Sequence, residues 1–348
     1  MRIVYGVVGE GMGHATRSRV VLEHLLSRGH AIRVVVSGRA FKFLSERFRD
    51  HPNIEITEIR GLHLRYDGNA VEVGRSLLSN LGRAPANLVE NIRVWRDLVK
   101  DDFDAQVVIS DFESWAFFYG LNHFLPVISI DNMQILNRCS HPPEVTRDPE
   151  FQLAKAAVKA KLPHAHHYIV TTFFYPPVRK DRTTLVPPIL RPEIRAAVRE
   201  PGEHVLVYQT ASANTDLIPM LRTLPYQFRL YGMGREGTEG NVTLRAFSEA
   251  GFVDDLRTAR AVVAGGGFSL MGESVHLRVP MFSVPVAGQY EQELNARWLA
   301  ELGYGGWAKA FERDELAAFL AQVPALTAYE PQDDSLLHAT LDRLLLAL

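Results

Sequence analysis

Short apolar runs alternate with amphipathic stretches from the start of the chain. Residues 3–8 form a β-rich apolar run, and residues 15–28 place apolar side chains on one helical face before Gly29 ends the pattern. Residues 32–36 are a second apolar run. The order strand, helix, strand predicts a βαβ unit with parallel strands, so the fold class is α/β.

The same alternation continues in two series. In the first half, strands are predicted at 54–59, 105–109, 126–130 and 169–172, and in the second half at 205–208, 228–231, 242–245, 261–264 and 281–284. The long stretch 62–100 lacks strand alternation and is predicted to be mostly helical. The prolines and charges of 173–193 break helices and central strands, which indicates a linker between two domains.

Chain length agrees with this division, because 348 residues exceed what one hydrophobic core usually holds. We predict an N-terminal domain over 1–172, a proline-rich linker over 173–200, a C-terminal domain over 201–330, and a final helix over 331–348 that packs back on the N-terminal domain.

Composition excludes several classes of protein. Apolar residues make up 47% and charged residues 22%, which is typical of a folded globular chain. A net charge of −2 gives no global reason to expect nucleic acid as a partner. The only cysteine, Cys139, is predicted to be a small buried residue, and it suits a reducing cytoplasm. No run approaches the roughly 18 apolar residues of a membrane helix, and the first run is too short for a signal peptide.

A glycine loop follows the first strand. Gly9, Gly11 and Gly13 permit close backbone approach, and the free amides at the start of the next helix favour an anion such as a phosphate or a carboxylate. The spacing differs from G-x-G-x-x-G, the second strand lacks an acidic residue at its end, and no P-loop lysine is present. The alternative is that these glycines only make a tight strand-to-helix turn.

His14 gives the glycine loop a candidate chemistry. At a helix start the dipole disfavours the imidazolium, so a neutral ring that accepts protons is expected. A general base also needs an acceptor for its other N–H, and Asp111 follows a strand whose end lies at the same sheet edge. The alternative for Asp111 is an N-cap on a helix over 112–119, a role compatible with the first.

An ordered series of motifs resembles a known superfamily. The loop ending at Gly13 and His14, the element Ser110 to Phe112, and a long series in the second half resemble the GT-B nucleotide-sugar glycosyltransferases. That superfamily includes the UDP-glycosyltransferase-like and family 28 enzymes, among them the peptidoglycan N-acetylglucosaminyltransferase. The second-half series runs from Phe252 to Leu256, through Ala261 to Ser269, Glu273, Pro280 and Pro285, to Glu291, Gln292, Asn295 and Ala296.

The resemblance implies two Rossmann-like domains that face each other across a cleft, with the acceptor on the N-terminal domain and the nucleotide sugar on the C-terminal one. His14 matches the proposed base of the superfamily and Asp111 its supporting carboxylate. Gly11, Met12, Gly13 and Arg17 form an acceptor or phosphate loop. The implied donor-binding residues are Gly265, Gly266, Gly267, Phe268, Ser269, Glu273, Glu291, Gln292, Asn295, Thr210, Ser212, Phe252 and Val253.

Some of these residues have plainer interpretations, and one departs from the superfamily. Glu273, expected on the ribose hydroxyls, could be a solvated helix acid, and Glu291, Gln292 and Asn295 could lie on an ordinary surface helix. Many relatives carry a histidine or arginine eight residues before the ribose glutamate, where this chain has Gly265. The donor diphosphate then depends on the helix start, backbone amides, and the hydroxyls of Ser269, Thr210 or Ser212.

The predicted function is inverting transfer of a sugar from a nucleoside-diphosphate donor, UDP being the expected one, to an acceptor hydroxyl of a lipid, a glycan or a small molecule. The alternatives are a sugar-nucleotide hydrolase in which His14 activates water, an epimerase of the same fold, and a non-catalytic sugar-nucleotide sensor. The Gly13 to Arg17 segment also resembles the G-H-x-x-R loop of the hydrolase, whereas the 62–100 insertion favours a larger acceptor.

No cofactor and no metal are expected. His164, His166 and His167 are adjacent but lack a further ligand group at suitable spacing. Asp101–Asp102 is interpreted as a solvated face and Asp254–Asp255 as a loop at the domain cleft. Arg75, Arg83, Arg93 and Arg96 could contact an anionic lipid surface, or form a solvated helix face. The expected location is the cytoplasm, with peripheral contact at the inner membrane face as an option.

Overall fold

The structure is a computed structural model. The residues that it describes are 1–9, 12–60, 66–67, 70–71, 91–98, 103–209, 216–246, 248–323, 325 and 329–348.

Strands and helices alternate along the described chain. The strands are β1 (Arg2–Val7), β2 (Ala31–Val36), β3 (Ile54–Glu58), β4 (Tyr66–Asp67), β5 (Ala70–Val71), β6 (Val107–Asp111), β7 (Val127–Asp131), β8 (His167–Thr171), β9 (Thr183–Val186), β10 (Val205–Tyr208), β11 (Phe228–Tyr231), β12 (Gly237–Glu239), β13 (Val242–Arg245), β14 (Ala261–Ala264), β15 (Met281–Ser283) and β16 (Gly305–Trp307). The helices are α1 (Met12–Ser27), α2 (Arg39–Arg47), α3 (91–98), α4 (Ser114–Asn122), α5 (Ile135–Arg138), α6 (Pro143–Thr146), α7 (Pro149–Lys161), α8 (Pro192–Ala196), α9 (Leu217–Leu221), α10 (Glu249–Thr258), α11 (Phe268–His276), α12 (Tyr290–Glu301), α13 (Arg313–Ala321) and α14 (Ser335–Leu346).

The described residues divide into two compact units. The first runs from the N-terminus to Arg191 and includes Asp333–Leu348, and the second comprises Pro192–Gln332 with the short β4–β5 hairpin. The division at Arg191 falls inside the predicted linker. That proline-rich segment also contains β9, which pairs with β8 and extends the first sheet beyond the last strand that the sequence predicted. The prolines lie outside the paired residues, where no ladder hydrogen bond is lost.

The first unit is built on a seven-stranded sheet in the order β3-β2-β1-β6-β7-β8-β9. Its strands pair in parallel, and their interior residues are almost continuously buried, as expected when helices cover both faces. Helix α14 belongs to this unit, because Leu337, Leu341 and Leu344 join the core around β1 and α1. His24 on α1 also bonds to Asp342 on α14 at 2.9 Å.

The second unit repeats the plan with the order β12-β13-β11-β10-β14-β15-β16, in which only the edge strand β12 is antiparallel. Its strands at 205–208, 228–231, 242–245 and 261–264 have the predicted bounds. In the 62–100 stretch, predicted to be mostly helical, the described residues contain both the β4–β5 hairpin and helix α3. Cys139 is buried as predicted, and burial raises the pKa of its thiol to about 11.

Candidate functional site

Each sheet has a point where the strand order reverses, and both candidate sites lie at these points. In the first sheet β1 leads outward to β2 and β3, and the chain then returns to place β6 on the other side of β1. In the second sheet β10 and β14 are neighbours in the same way. Loops after such adjacent strands diverge and leave a crevice at their carboxyl ends, where α/β proteins bind ligands.

His14 and Asp111 meet at the reversal point of the first sheet. Helix α1 begins at Met12, three residues earlier than predicted, so His14 lies in its first turn. Strand β6 extends two residues beyond the prediction because its end pairs with β1, and Asp111 is its last residue, opposite Val7. Nδ1 of His14 lies 2.8 Å from Oδ1 of Asp111. The structure therefore brings together the two residues that the sequence singled out for acid–base chemistry.

Asp111 is enclosed by hydrogen-bond donors. Its side chain is 1% exposed, and Oδ2 accepts from Nε of Arg17 at 2.8 Å and from Oγ of Ser18 at 2.9 Å. Nη2 of Arg17 donates to Oδ1, the oxygen that also faces His14. Burial alone would raise the pKa of this carboxyl, but the Arg17 charge and these bonds hold it well below its ordinary range. Asp111 is therefore an ionised acceptor.

The pKa of His14 lies below its ordinary value of 6.5. Burial is the largest cause and the charge of Arg17 is the second, and together they outweigh the opposite influence of Asp111. The ring is thus neutral near pH 7, with burial and the Arg17 charge as the main causes. About 25% of the side chain remains exposed, so its surface is partly open to other molecules.

Among its described residues, the predicted acceptor or phosphate loop lacks a free cation, because Arg17 is buried. Arg17 is 5% exposed and its guanidinium is engaged by Asp111, so it is buried support instead of a contact for an incoming anion. Met12 and Gly13 are half-buried in the first turn of α1. Gly11 lies outside the described residues. The loop therefore offers His14 and backbone amides, but not the Arg17 cation.

The alternative role of Asp111 as a helix N-cap is wrong. Helix α4 begins at Ser114, and Glu113 caps it by accepting from the backbone N–H groups of Trp115 at 2.9 Å and Ala116 at 2.7 Å. Between the strand and this cap, Phe112 adopts a left-handed backbone with φ of 52°. The chain turns sharply at Phe112, which separates the carboxylate of Asp111 from the helix start.

Asp131 is a second buried acid at this sheet edge that sequence reasoning missed. It ends β7, the neighbour of β6, and accepts from Oγ of Ser129 at 2.6 Å and from the backbone N–H of Gln134 at 2.8 Å. Burial raises its pKa to about 6, with Asp111 adding to the rise. A signal was present, because both β6 and β7 end in an aspartate after a buried apolar run containing serine.

In the second unit, a glycine loop is held from helix α12. Oε1 of Gln292 accepts the backbone N–H of Gly266 at 2.9 Å and that of Val286 at 3.1 Å. Nδ2 of Asn295 donates to Oε1 of Glu291 at 2.6 Å and more weakly to the carbonyl of Gly266 at 3.4 Å. The predicted donor residues of α12 thus converge on the predicted loop, with Gln292 and Asn295 bonded to its backbone.

The loop leads directly into helix α11, one residue earlier than predicted. Gly267 is its N-cap residue and has no side chain to cap the helix. Phe268 begins the helix, and half-buried Ser269 follows it. Glu273 is 6% exposed, so it is not a solvated helix acid. The first turn of α11 offers backbone N–H groups at a helix start, the part of a helix that suits anions.

Phe252 and Val253 are two further predicted donor residues. Phe252 and Val253 are buried in helix α10, where the Phe252 ring packs against Tyr208 and Tyr231 with centroids 5.7 and 5.1 Å apart. Asp254 and Asp255 belong to the same helix, so the predicted cleft loop is wrong there. Asp255 is buried and accepts from the hydroxyl of Tyr231 at 2.7 Å.

Two polar residues beside the glycine loop were not predicted. Gln209 follows β10 and Ser283 ends β15, the two strands that flank β14. Nε2 of Gln209 and Oγ of Ser283 are buried and have no hydrogen-bond partner within the described part of the chain. Thr210 and Ser212, the hydroxyls predicted to assist at this position, lie outside the described residues.

The other candidate features are the histidine cluster and the arginines of the 62–100 stretch. His167 bonds to Oγ1 of Thr184 at 2.9 Å, and burial lowers its pKa to about 4. Within the described ranges, no group of three or more histidines, cysteines or acids could hold a metal ion. Arg93 and Arg96 are exposed on α3, whereas Arg75 and Arg83 lie outside the described residues. No described helix is long and apolar enough to span a membrane.

Comparison with known proteins places this geometry in context. A model of the family described as glycosyl transferase family 1 matches residues 1–324. An uncharacterized glycosyltransferase of Methanosarcina acetivorans is 23% identical over 330 residues, which cover 88% of this chain and 85% of the relative.

Solved structures resemble the chain over nearly its whole length. The glycotransferase of kitacinnamycin gives a TM-score of 0.63 at 16% identity, covering 99% of this chain and 93% of that structure. LpCGTa in complex with UDP gives a TM-score of 0.62 at 14% identity, with the same coverages of 99% and 93%. At these identities the likeness concerns the fold, and it confirms the predicted GT-B architecture of two α/β units.

Proposed function

The chain belongs to glycosyl transferase family 1, and on that premise we propose that it transfers a sugar from a nucleoside diphosphate, UDP in the first instance, to an acceptor hydroxyl with inversion at the anomeric carbon. The observation that carries this proposal is the contact of 2.8 Å between Nδ1 of His14 and Oδ1 of Asp111 at the reversal point of the first sheet.

The first unit supplies the base. With Nδ1 held by Asp111, Nε2 of neutral His14 takes the proton of the acceptor hydroxyl. The acceptor oxygen forms its bond to the anomeric carbon as the bond from that carbon to the diphosphate oxygen breaks, and the electron pair leaves with the nucleoside diphosphate. The lowered pKa of His14 supports this role, because the neutral ring, which can accept a proton, predominates near pH 7.

The second unit supplies the donor site. We propose that the glycine loop Gly265 to Gly267 and the start of α11 offer backbone amides to the departing diphosphate, and that Glu273, about one turn further along α11, binds the ribose hydroxyls. LpCGTa, which shares this fold, is described in complex with UDP. Because backbone amides of the glycine loop and of α11 would stabilise the diphosphate leaving group, we propose that transfer requires no metal ion.

The test is turnover of a panel of UDP-sugars and other nucleotide sugars, with and without lipid, glycan and small-molecule acceptors. Nucleoside diphosphate release and glycosylated product are followed together, with the anomeric configuration of the product determined by NMR. The expected result is acceptor-dependent release and an inverted product, unaffected by EDTA. Release of free sugar without any acceptor would instead make the chain a hydrolase, and tight UDP binding without turnover would make it a sensor.

A further inference from the structure

Arg17 takes part in the arrangement of His14 and Asp111. We infer that Arg17 is a positioning residue, which keeps Asp111 ionised and thereby holds the His14 proton on Nδ1, so that Nε2 is free to accept the acceptor's proton. The inference rests on the proposed function of His14 as the base.

The geometry is a closed triangle of atoms. Arg17 follows His14 by three residues on α1, so the two side chains lie on the same helix face. Nη2 of Arg17 is 2.7 Å from Nδ1 of His14, and both nitrogens contact Oδ1 of Asp111, His14 at 2.8 Å. Nε of Arg17 completes a two-point bond on Oδ2 of Asp111 at 2.8 Å.

Two arrangements of protons compete in this triangle, because Nη2 of Arg17 lies 2.7 Å from Nδ1 of His14 and could donate to a bare Nδ1. An ionised carboxylate only accepts, and a guanidinium only donates. If Nδ1 carried no proton, its lone pair would face the Asp111 oxygen at 2.8 Å, acceptor against acceptor. With the proton on Nδ1, His14 and Arg17 both donate to the ionised Oδ1, and these charge-assisted bonds favour this arrangement over a bond from Nη2 of Arg17 to a neutral Nδ1. The remaining lone pair of the imidazole is then on Nε2.

Arg17 also contributes, after burial, to keeping the ring neutral. An ionised aspartate beside a histidine favours the imidazolium, which cannot act as a base. The charged groups around this site are Arg17 from α1, Asp111 from β6 and Lys161 from α7, while Asp131 from β7 and Tyr5 from β1 act on Arg17 or Asp111. Arg17 and Lys161 oppose the imidazolium and Asp111 favours it, and with burial the balance falls on the neutral side.

Burial is what makes this role specific to an arginine. Arg17 is 5% exposed, and its guanidinium has a fork that matches the carboxylate, so charge and geometry are supplied together. A lysine supplies the charge at one point only. The pair Arg17→Lys and Arg17→Gln therefore separates the effect of charge from the effect of the two-point bond.

The first experiment measures the wild-type triangle and uses a variant only to assign the His14 signals. Side-chain ¹H–¹⁵N NMR of histidines, with His14 assigned by comparison with His14→Gln, reports the tautomer and the titration midpoint of that ring directly. We expect protonated Nδ1 and bare Nε2 at pH 7, with a midpoint below the ordinary 6.5. A proton on Nε2 at pH 7, or a midpoint above 6.5, overturns the inference.

The variants then test Arg17 itself. Arg17→Gln should raise the His14 midpoint by about 1 pH unit or more, and Arg17→Lys should leave it close to the wild-type value. The acid limb of the kcat/KM profile should move upward with it, while the donor KM changes less than about twofold, because the hydrogen bonds of Arg17 go to Asp111. An unchanged midpoint in folded Arg17→Gln overturns the inference.

The control is Arg19→Gln. Arg19 is equally buried on α1, but it bonds to Glu23 at 3.0 Å, so its loss should not move the His14 midpoint. If Arg17→Gln does not fold, the wild-type tautomer and midpoint still decide, because a proton on Nε2 at pH 7 or a midpoint above 6.5 overturns the inference. Because the NMR readout is independent of turnover, the expected tautomer in a chain without transferase activity would contradict the proposed function alone. An active enzyme with Nε2 protonated would contradict the role of Arg17.

Discussion

Gln292 on helix α12 bonds through Oε1 to the backbone N–H of Gly266 at 2.9 Å, across 26 residues of sequence. The same oxygen accepts from Val286 at 3.1 Å, so one side chain ties the glycine loop to the segment before its own helix. An amide in this position orders the loop backbone before any ligand arrives. The shape of the proposed donor site thus depends on Gln292, which the sequence resemblance assigned to donor binding.

Replacing Gln292 by alanine should therefore weaken donor binding. The change removes two hydrogen bonds to backbone amides, each of which contributes about 1 kcal/mol. We expect a rise of about tenfold in the donor KM and in the Kd for UDP measured by calorimetry, with kcat less affected. Glu293→Ala is the matched control, because Glu293 lies on the same helix but pairs with Arg297. A Kd equal to that of the wild type would show that the loop is ordered without Gln292.

Gly266 should not tolerate a side chain. A Cβ there would lie 2.4 Å from Cβ of Gln292 and 2.5 Å from its carbonyl oxygen, so the backbone of α12 would have to shift. We expect Gly266→Ala to destabilise the protein by about 1–3 kcal/mol in denaturant unfolding. At Gly267 a Cβ meets nothing within 4 Å, so the unfolding free energy of Gly267→Ala should stay near that of the wild type. Equal stability of the two variants would contradict the close packing of loop and helix.

Loss of the His14 ring should abolish most of the transfer activity without weakening nucleotide binding. We expect kcat/KM of His14→Ala to fall by about 10²–10⁴, the usual contribution of a general base. The Kd for UDP should remain within about twofold, because the proposed donor residues belong to the other unit. The measurement is steady-state kinetics beside calorimetry with UDP. A loss below about tenfold would assign the base to another group.

Asp131 should make stability depend on pH in a direction unusual for an aspartate. Its pKa rises from 3.8 to about 6 on folding, so between these values the folded chain holds a proton that the unfolded chain has released. Stability from this group is therefore lost as pH rises through that window. Asp131→Asn removes this dependence, and its advantage over the wild type should grow to at most about 3 kcal/mol by pH 7.

Urea unfolding from about pH 3 to pH 7 checks this prediction, because this range covers the window of Asp131 and reaches below the unfolded pKa of 3.8. Asp342→Asn provides a comparison of opposite sign, because the pKa of Asp342 is lowered by its bonds to Arg28 and His24. Asp342 contributes stability above its unfolded pKa, and that contribution is lost as pH falls. A difference between Asp131→Asn and the wild type that stays constant with pH would show that Asp131 does not titrate in this range.

The hydrophobic pattern predicted most strands and both sheets, because each strand is a local run of buried residues. Strand ends that are set by pairing with a neighbouring strand were harder to predict from the sequence. Strand β6 continues to Asp111 only because Ser110 and Asp111 have partners on β1, and β9 forms where prolines had indicated a linker. Such edges depend on the neighbouring strand, which is distant in the sequence.

By itself, the sequence determined an α/β fold in two units, a histidine at the first helix start, and a second glycine loop before a helix, since strand–loop–helix signals are local. It also gave the spacing of three residues from His14 to Arg17. Only the tertiary structure decided that Arg17 turns inward to Asp111, 94 residues away, that Glu113 caps α4, and that Gln292 holds Gly266. The physical reason is that strand order chooses which carboxyl ends are neighbours, and burial at that junction then decides which charges must pair.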